Sequence, residues 1–160
     1  MADNCGRAKI EMQPVHLAAP MAAAISYLHA ACFPHPWSEE DFSALINDDD
    51  VFGHVIERDG ALVGCILLRQ AGDEAEILTL AVAPYHRRCG VASKLMEAGH
   101  TEAQTRSITS ILLEVARSNV GAHALYTRFS YKHVGIRKAY YRREKGKTED
   151  ALVMARSIVA

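Results

Sequence analysis

The chain has 160 residues and a mass of 17.6 kDa, with 18 Lys and Arg against 19 Asp and Glu for a net charge of −1. Hydrophobic residues make up 49% and charged residues 23%, the proportions of a globular chain rather than a disordered one, and the length suits one domain over residues 1–160. A pI near 6.7 excludes whole-molecule electrostatic capture of nucleic acid, and no window approaches the ~18 uncharged apolar residues of a membrane span.

Residues 1–11 carry charges early and lack an apolar core segment, so they do not read as a secretory signal. Cys5, Cys32, Cys65 and Cys89 stand far apart with no CxxC pair, which points to a reducing cytoplasm and no disulfide framework. No His or Cys group falls at zinc-ligand spacing, so no metal is expected. Residues 9–15 predict a short first strand. Residues 17–32 are Ala-rich with apolar positions at helical spacing, and Pro20 is tolerated in a first turn. Phe33-Pro34-His35-Pro36-Trp37 ends that helix. Ser38 before Glu39-Glu40-Asp41 is an N-cap with acids in the first turn, opening a helix to about Asn47. Residues 51–57 alternate as a strand, Asp59-Gly60 is a hairpin turn, and residues 61–69 return. Cys65 lies in the apolar run 62–68 and reads as core.

A third apolar run at 76–82 ends at Pro84. A helix over 91–106, a buried strand over 108–115 and a helix over 119–129 follow. A strand over 131–137, a basic loop over 140–147 and a last strand over 151–158 complete the chain. Antiparallel strands followed by alternating strands and helices predict an α+β fold with one mixed sheet and helices on both faces.

The segment Leu80-Ala81-Val82-Ala83-Pro84-Tyr85-His86-Arg87-Arg88-Cys89-Gly90-Val91-Ala92-Ser93 carries the most chemistry. A buried strand runs into a basic loop and then into a helix with small residues in its first turn. A helix N-terminus offers unpaired N–H groups and about half a positive charge, which suits a diphosphate. Gly90 and Ala92 permit close backbone approach, and Arg87 and Arg88 add charge. By composition, Arg/Gln-x-x-Gly-x-Gly/Ala arises at about one position in a thousand. A Walker loop would end in Gly-Lys-Ser/Thr, and a Rossmann loop would need more glycines; neither is present.

Arg87-x-x-Gly90-x-Ala92 after a strand resembles the acetyl-CoA signature of the GNAT N-acetyltransferases. Pro36-Trp37-Ser38-Glu39, Leu113-Glu114-Val115, Ser118-Asn119, Ala124-Leu125-Tyr126, Tyr140-Tyr141 and Glu149-Asp150-Ala151-Leu152-Val153-Met154 resemble, in order, the ribosomal-protein-alanine branch of that family (RimI type). The likeness spans residues 33–158 and implies the GNAT acyl-CoA fold, with splayed parallel central strands. It implies acetyl-CoA as co-substrate and the N-terminal segment of a ribosomal protein as acceptor, with no membrane or nucleic-acid partner. By the same likeness, the backbone of Leu80, Ala81 and Val82 holds the acetyl and pantetheine arm. Arg88, Cys89, Gly90, Val91, Ala92 and Ser93 hold the diphosphate with Arg87 nearby, and Asn119 contacts the co-substrate; as a plain N-cap, Asn119 would need no ligand at all. Glu114 becomes the general base, through water, and Tyr126 the general acid. Trp37, Tyr140 and Tyr141 are read as groove residues that meet the acceptor, with edge packing as the alternative for the tyrosines.

An α-amine titrates near 7.7–8.0 and a Lys amine near 10.4, so at neutral pH an N-terminus is uncharged a few hundred times more often. Residues 38–50 hold six acids and no Lys or Arg, whereas residues 131–147 hold seven Lys and Arg against one acid. Either stretch suits a charged partner or a solvated face equally. Two positions depart from the branch pattern: Ala116 stands where Arg is usual, and Phe129-Ser130-Tyr131 where Leu-Gly-Phe is usual. Other acceptors of the family, or a non-catalytic CoA-binding module, remain open on the sequence alone.

Overall fold

The computed structural model describes residues 12–158. Cys5, the leader reading of residues 1–11 and positions 9–11 of the predicted first strand lie outside them. The elements are β1 (Val15–His16), α1 (Ala22–Cys32), α2 (Glu39–Ile46), β2 (Val51–Arg58), β3 (Ala61–Ala71), β4 (Glu74–Val82), α3 (Val91–Thr105), β5 (Ser110–Ala116), α4 (Val120–Arg128), β6 (Lys132–Arg142) and β7 (Thr148–Ser157).

Local chemistry sets most of these boundaries. Pro20 sits in a separate 3-10 turn, Ala19–Met21, so α1 opens later than the apolar spacing predicts. Ser38 Oγ accepts from Asp41 N at 3.1 Å while Asp41 Oδ2 accepts from Ser38 N at 2.8 Å, a reciprocal cap that starts α2. Asp59 and Gly60 take φ of 52° and 79°, the left-handed pair a tight hairpin between β2 and β3 requires.

The strands form one sheet in the order β1-β2-β3-β4-β5-β7-β6. Among the described strands only β4 and β5 run parallel, and they pair only from Glu74↔Ser110 to Glu76↔Leu112. Beyond that point they part. Where they part, Leu67 faces Thr79 and Leu68 faces Ile77, so Leu78 is an extra residue bulged out of β4. The bulge shifts the side-chain phase of the strand. Ala75 and Ile77 before it, and Leu80 and Val82 after it, all pack on the core shared with α3 and α4, while Leu78 and Ala81 pack on the other.

The sheet is thus covered on both faces. One core gathers Ile66, Leu68, Leu95, Met96, Ile111, Leu113 and Tyr126; the other gathers Ile25, Leu28, Phe42, Val55 and Leu67 around Cys65. Cys65 is fully buried, and burial pushes its thiol up to about 12. Cys32, Cys65 and Cys89 form no disulfide. No helix among the described residues is long and apolar enough to cross a membrane.

The predicted basic loop at 140–147 is corrected. Strand β6 continues through Tyr140, Tyr141 and Arg142, and only Glu144–Gly146 forms the turn into β7. Charge hid the strand, because an edge strand needs apolar residues on one face at most. Between Arg137↔Ala151 and Tyr141↔Glu149, three residues of β6 oppose one of β7, and Ala139 within that bulge takes φ 54°.

Gly64 on β3 lets α3 approach. A Cβ there would lie 2.6 Å from Val91 Cγ1 and 2.9 Å from Leu95 Cδ1. Gly64→Ala is expected to lower the unfolding free energy by ~1–3 kcal/mol in urea titrations, because it overpacks the start of α3. A change within experimental error would mean that α3 yields freely there.

Candidate active site

The parting of β4 from β5 leaves a slot that no other strand fills. Ala83 N donates to Val63 O at 2.9 Å, and in an antiparallel ladder such pairing alternates. Ala81 therefore turns its backbone to Cys65 of β3, while Leu80 and Val82 turn theirs toward the slot. Of the three positions expected to meet a ligand through the backbone, Leu80 and Val82 have their polar groups at the slot. Val82 O already accepts from Arg87 Nε at 3.1 Å and Cys32 Sγ at 3.3 Å.

Just beyond the end of β4, α3 opens with Gly90 as its N-cap at φ 83°, preceded by Arg88 at φ 62°. No side chain caps this helix, so its first N–H groups face outward for a ligand. Nothing lies within 4 Å of where a Gly90 Cβ would sit. Arg87, Arg88 and Gly90 are exposed or nearly so, and the Cys89 thiol reaches Arg87 O at 3.5 Å. Val91 is 1% exposed with its side chain in the core, so it offers a ligand only its N–H; Ala92 and Ser93 are half-buried. Arg128 Nη2 donates to Ser93 Oγ at 2.8 Å, placing a further cation at this opening from α4. Nothing in the sequence marks Arg128 beyond its charge in the last turn of a helix.

Glu114 lies on β5 past the parting point. Its Oε1 accepts from Arg137 Nη1 at 2.8 Å, with the carboxylate side chain 18% exposed. Tyr140 also donates to Glu114; burial first, then that carboxylate, pushes the Tyr140 phenol up. Arg137 stacks over the Tyr140 ring at 4.4 Å, and Tyr140 meets Tyr141 edge-on at 5.0 Å. Tyr141 is pushed up to about 12 by burial, then by Tyr140 and Glu114. The β6 bulge is what aims this pair at Glu114. Arg137 was visible in the sequence only as part of the basic excess.

Tyr126, on α4, is 7% exposed. Burial raises its phenol, with Tyr141 the next contributor, so it stays protonated across the physiological range. Leu113 and Val115 pack on the α3–α4 side with Tyr126, so strand alternation turns Glu114 to the opposite face. Glu114 and Tyr126 thus lie on opposite faces of the sheet, with β4 and β5 already parted at the level of Glu114.

Behind Tyr126 runs a buried polar chain that sequence reading missed. Arg156 Nη1 donates to His100 Nδ1 at 3.0 Å, and His100 Nε2 lies 2.8 Å from the Tyr131 hydroxyl. Burial, then Arg156, lowers His100 to about 4, so its ring is neutral at pH 7. Arginine only donates, so Nδ1 accepts, Nε2 carries the hydrogen and Tyr131 accepts from it. Tyr131 packs edge-on to Tyr126 at 5.8 Å. Thus one of the departures, Tyr131, holds a partner that Phe would lack.

Two expected site residues serve other contacts. Asn119 Oδ1 accepts from Ala122 N at 3.2 Å as the N-cap of α4. Trp37 stacks on His29 at 5.0 Å and tilts against Phe42 at 5.5 Å, in the corner between α1 and α2. Its contacts there do not include Glu114 or Tyr126.

A family model described as the acetyltransferase (GNAT) family matches residues 22–131. A ribosomal protein bS18-alanine N-acetyltransferase of Escherichia coli strain K12 is 31% identical over 120 residues, which is 75% of this chain and 80% of that protein. A putative enzyme of the same description from Bacillus subtilis strain 168 is 32% identical over 128 residues, 79% and 83% of the two chains. The crystal structure of the Escherichia coli ribosomal-protein-S18-alanine N-acetyltransferase has a TM-score of 0.86 at 27% identity, covering 92% of this chain and 94% of that one. Arabidopsis thaliana NAA60 in complex with acetyl-CoA shares the fold at a TM-score of 0.79 and 19% identity, over 91% and 97%.

Glu149 braces this site from β7. It accepts from Ser118 N and pairs with Arg143, whose guanidinium covers Tyr141 at 5.2 Å. Ser118, then Arg143, holds the Glu149 carboxyl down to about 2. A carboxyl lowered on folding stabilises above its unfolded pKa of ~4.3, and that stabilisation fades as pH falls through the folded value. The stability gap between the parent and Glu149→Gln should be full at pH 6–7 and shrink between about pH 5 and 2. A gap independent of pH would show that the ionised form is not favoured here.

Proposed function

The chain belongs to the acetyltransferase (GNAT) family and is an N-acetyltransferase, and on that premise we propose that it moves the acetyl group of acetyl-CoA to the N-terminal amine of a protein, the terminal Ala of a small-subunit ribosomal protein. The observation that carries this reading is the slot. An acyl chain lying between β4 and β5 meets backbone from Leu80 and Val82 on one side and Glu114 on the other. The relatives named for bS18-alanine acetylation support the acceptor. Thiols at Cys32, Cys65 and Cys89 fit a reducing compartment.

In this mechanism the N–H groups of Val91, Ala92 and Ser93 bind the diphosphate at the start of α3. Arg87, Arg88 and Arg128 supply charge around it, and Cys89 and Gly90 shape the turn. Asn119 keeps α4 in place and offers its amide N–H₂ to the ligand. Backbone N–H on the slot side of β4 receives the negative charge that develops on the carbonyl oxygen. Glu114, through water, takes the surplus proton from the attacking amine as the C–N bond forms. The C–S bond then breaks, and Tyr126 gives its hydroxyl proton to the departing thiolate. A free thiol titrates near ~8.5, below a phenol, but the thiolate forms in the same enclosed slot that raises Tyr126. Tyr140 and Tyr141 form the wall against which the peptide lies, and Trp37 fixes the α1–α2 corner on the acceptor side.

Tyr126→Phe should lower kcat by about 10²–10⁴-fold with acetyl-CoA affinity nearly unchanged, measured by turnover and by calorimetry. Full turnover would remove the acid role. Intact-mass spectrometry of ribosomal proteins from cells with and without this gene tests the acceptor: one N-terminus should lose an acetyl mass. Loss from a Lys side chain instead would overturn the N-terminal assignment.

A further inference from the structure

Far along the sheet from the slot, three ligand-type side chains from separate elements converge. His16 on β1 and His54 on β2 are direct cross-strand partners. Leu17 N donates to Gly53 O at 3.1 Å, which makes 16/54 a non-hydrogen-bonded pair, the register in which side chains come closest. The two rings lie 4.6 Å apart. Near the end of α3, Glu102 Oε2 stands 3.4 Å from His16 Nδ1 and 3.6 Å from His54 Nε2, and the three atoms lie within 4.8 Å of one another.

These separations are long for charge-assisted hydrogen bonds, which run at ~2.7–2.9 Å. Consistently, among the described residues Glu102 Oε2 is buried without a hydrogen-bond partner. Ligands at ~2.0–2.2 Å around a tetrahedral zinc are themselves spaced by roughly 3.3–3.5 Å; the separation of 3.4 Å falls in that range and that of 3.6 Å lies just above it. His16 is 76% exposed at its side chain and can swing to close the third. Arg106 Nε holds the other Glu102 oxygen at 3.0 Å, orienting Oε2 toward the two imidazoles while withdrawing some of its charge.

We propose that His16 Nδ1, His54 Nε2 and Glu102 Oε2 form a site for a divalent transition cation of zinc's ligand preference, with water in the fourth position on the exposed side. Two imidazoles and one carboxylate are a donor set that zinc accepts. Affinity is moderate, because Arg106 shares the carboxylate. The cation ties the two-residue edge strand β1 to β2 and to α3. From Glu102 to the opening of α3 at Val91 is roughly 16 Å along the helix axis, so this site is separate from the slot. The expectation of no metal rested on sequence spacing, and ligands at positions 16, 54 and 102 leave no local pattern.

The test uses the full chain stripped with a chelator and titrated with Zn²⁺ alone, read by calorimetry and by thermal unfolding. The expected result is one Zn²⁺ per chain and a raised Tm. His16→Ala, at a surface position that preserves the core, should weaken binding by about tenfold or more and remove the Tm rise, and Glu102→Gln should do the same. His123→Ala should leave both unchanged; it removes one member of the surface pair His123–His133, whose Nε2 atoms lie 2.8 Å apart. Absence of stoichiometric binding at micromolar Zn²⁺, undiminished binding in His16→Ala, or loss in His123→Ala would each overturn the proposal.

Discussion

The separation of β4 from β5 after Glu76 and Leu112 is the constraint on which the rest of the molecule turns. A continuous sheet isolates its two faces, and side chains rooted on opposite faces cannot share a reactant. Here the ladder stops after three pairs, and the Leu78 bulge bends β4 away. Backbone groups at Leu80 and Val82 are left facing a gap, and buried polar backbone requires partners. Side chains of Arg87 and Cys32 meet part of that demand at Val82 O. An extended, amide-bearing ligand arm is the natural complement for the remainder. Strand alternation sends Glu114 and the Tyr126 side to opposite faces, and the proposed reaction requires both to reach one thioester through this gap.

Helix α3 transmits this arrangement. Its start carries no side-chain cap, its middle packs through Leu95 and Met96 into the core, and its last turn and C-cap hold Glu102 and Arg106 beside β1 and β2. Absence of a side chain at Gly64 sets how closely the start of the helix approaches β3. Arg128 then bridges α4 to Ser93, so the two helices flanking the slot are joined at its mouth. Distances between the start of α3 and the side chains of Glu114 and Tyr126 are therefore fixed by packed elements rather than by loops.

What the sequence made legible was local. The Ser38 cap, the Asp59-Gly60 hairpin, the strand–loop–helix around Gly90 and the alternating strands each depend on neighbours a few residues apart, and each is found where it was expected. What it hid was long-range. The extension of β6 through Tyr141 was masked by charge, since that edge strand carries exposed residues along most of its length. The Arg137–Glu114 pair depends on the register of β6, β7 and β5, and the His100–Tyr131–Arg156 chain joins α3, β7 and the connection from α4 to β6. Even the bulge at Ala139, which aims Tyr140, occurs at a residue with no special propensity for positive φ. Such features follow from which strands lie side by side, and no window of sequence contains that information.

The charge pattern also changes meaning in three dimensions. Residues 131–147 look like a free basic patch, yet Arg137 is paired with Glu114 and Arg143 with Glu149. The guanidinium of Arg137 lies against the Glu114 carboxylate, the base of the proposed reaction. A positively charged ammonium would meet that cation; a neutral amine would not, and it alone carries the lone pair that attacks the carbonyl. An α-amine is neutral at pH 7 far more often than a Lys amine, by the ~2.5 units between their ordinary pKa values, so in the proposed reaction it presents the attacking lone pair more often. The pairing of Arg137 with Glu114 is compatible with the proposed N-terminal acceptor, whose amine arrives uncharged.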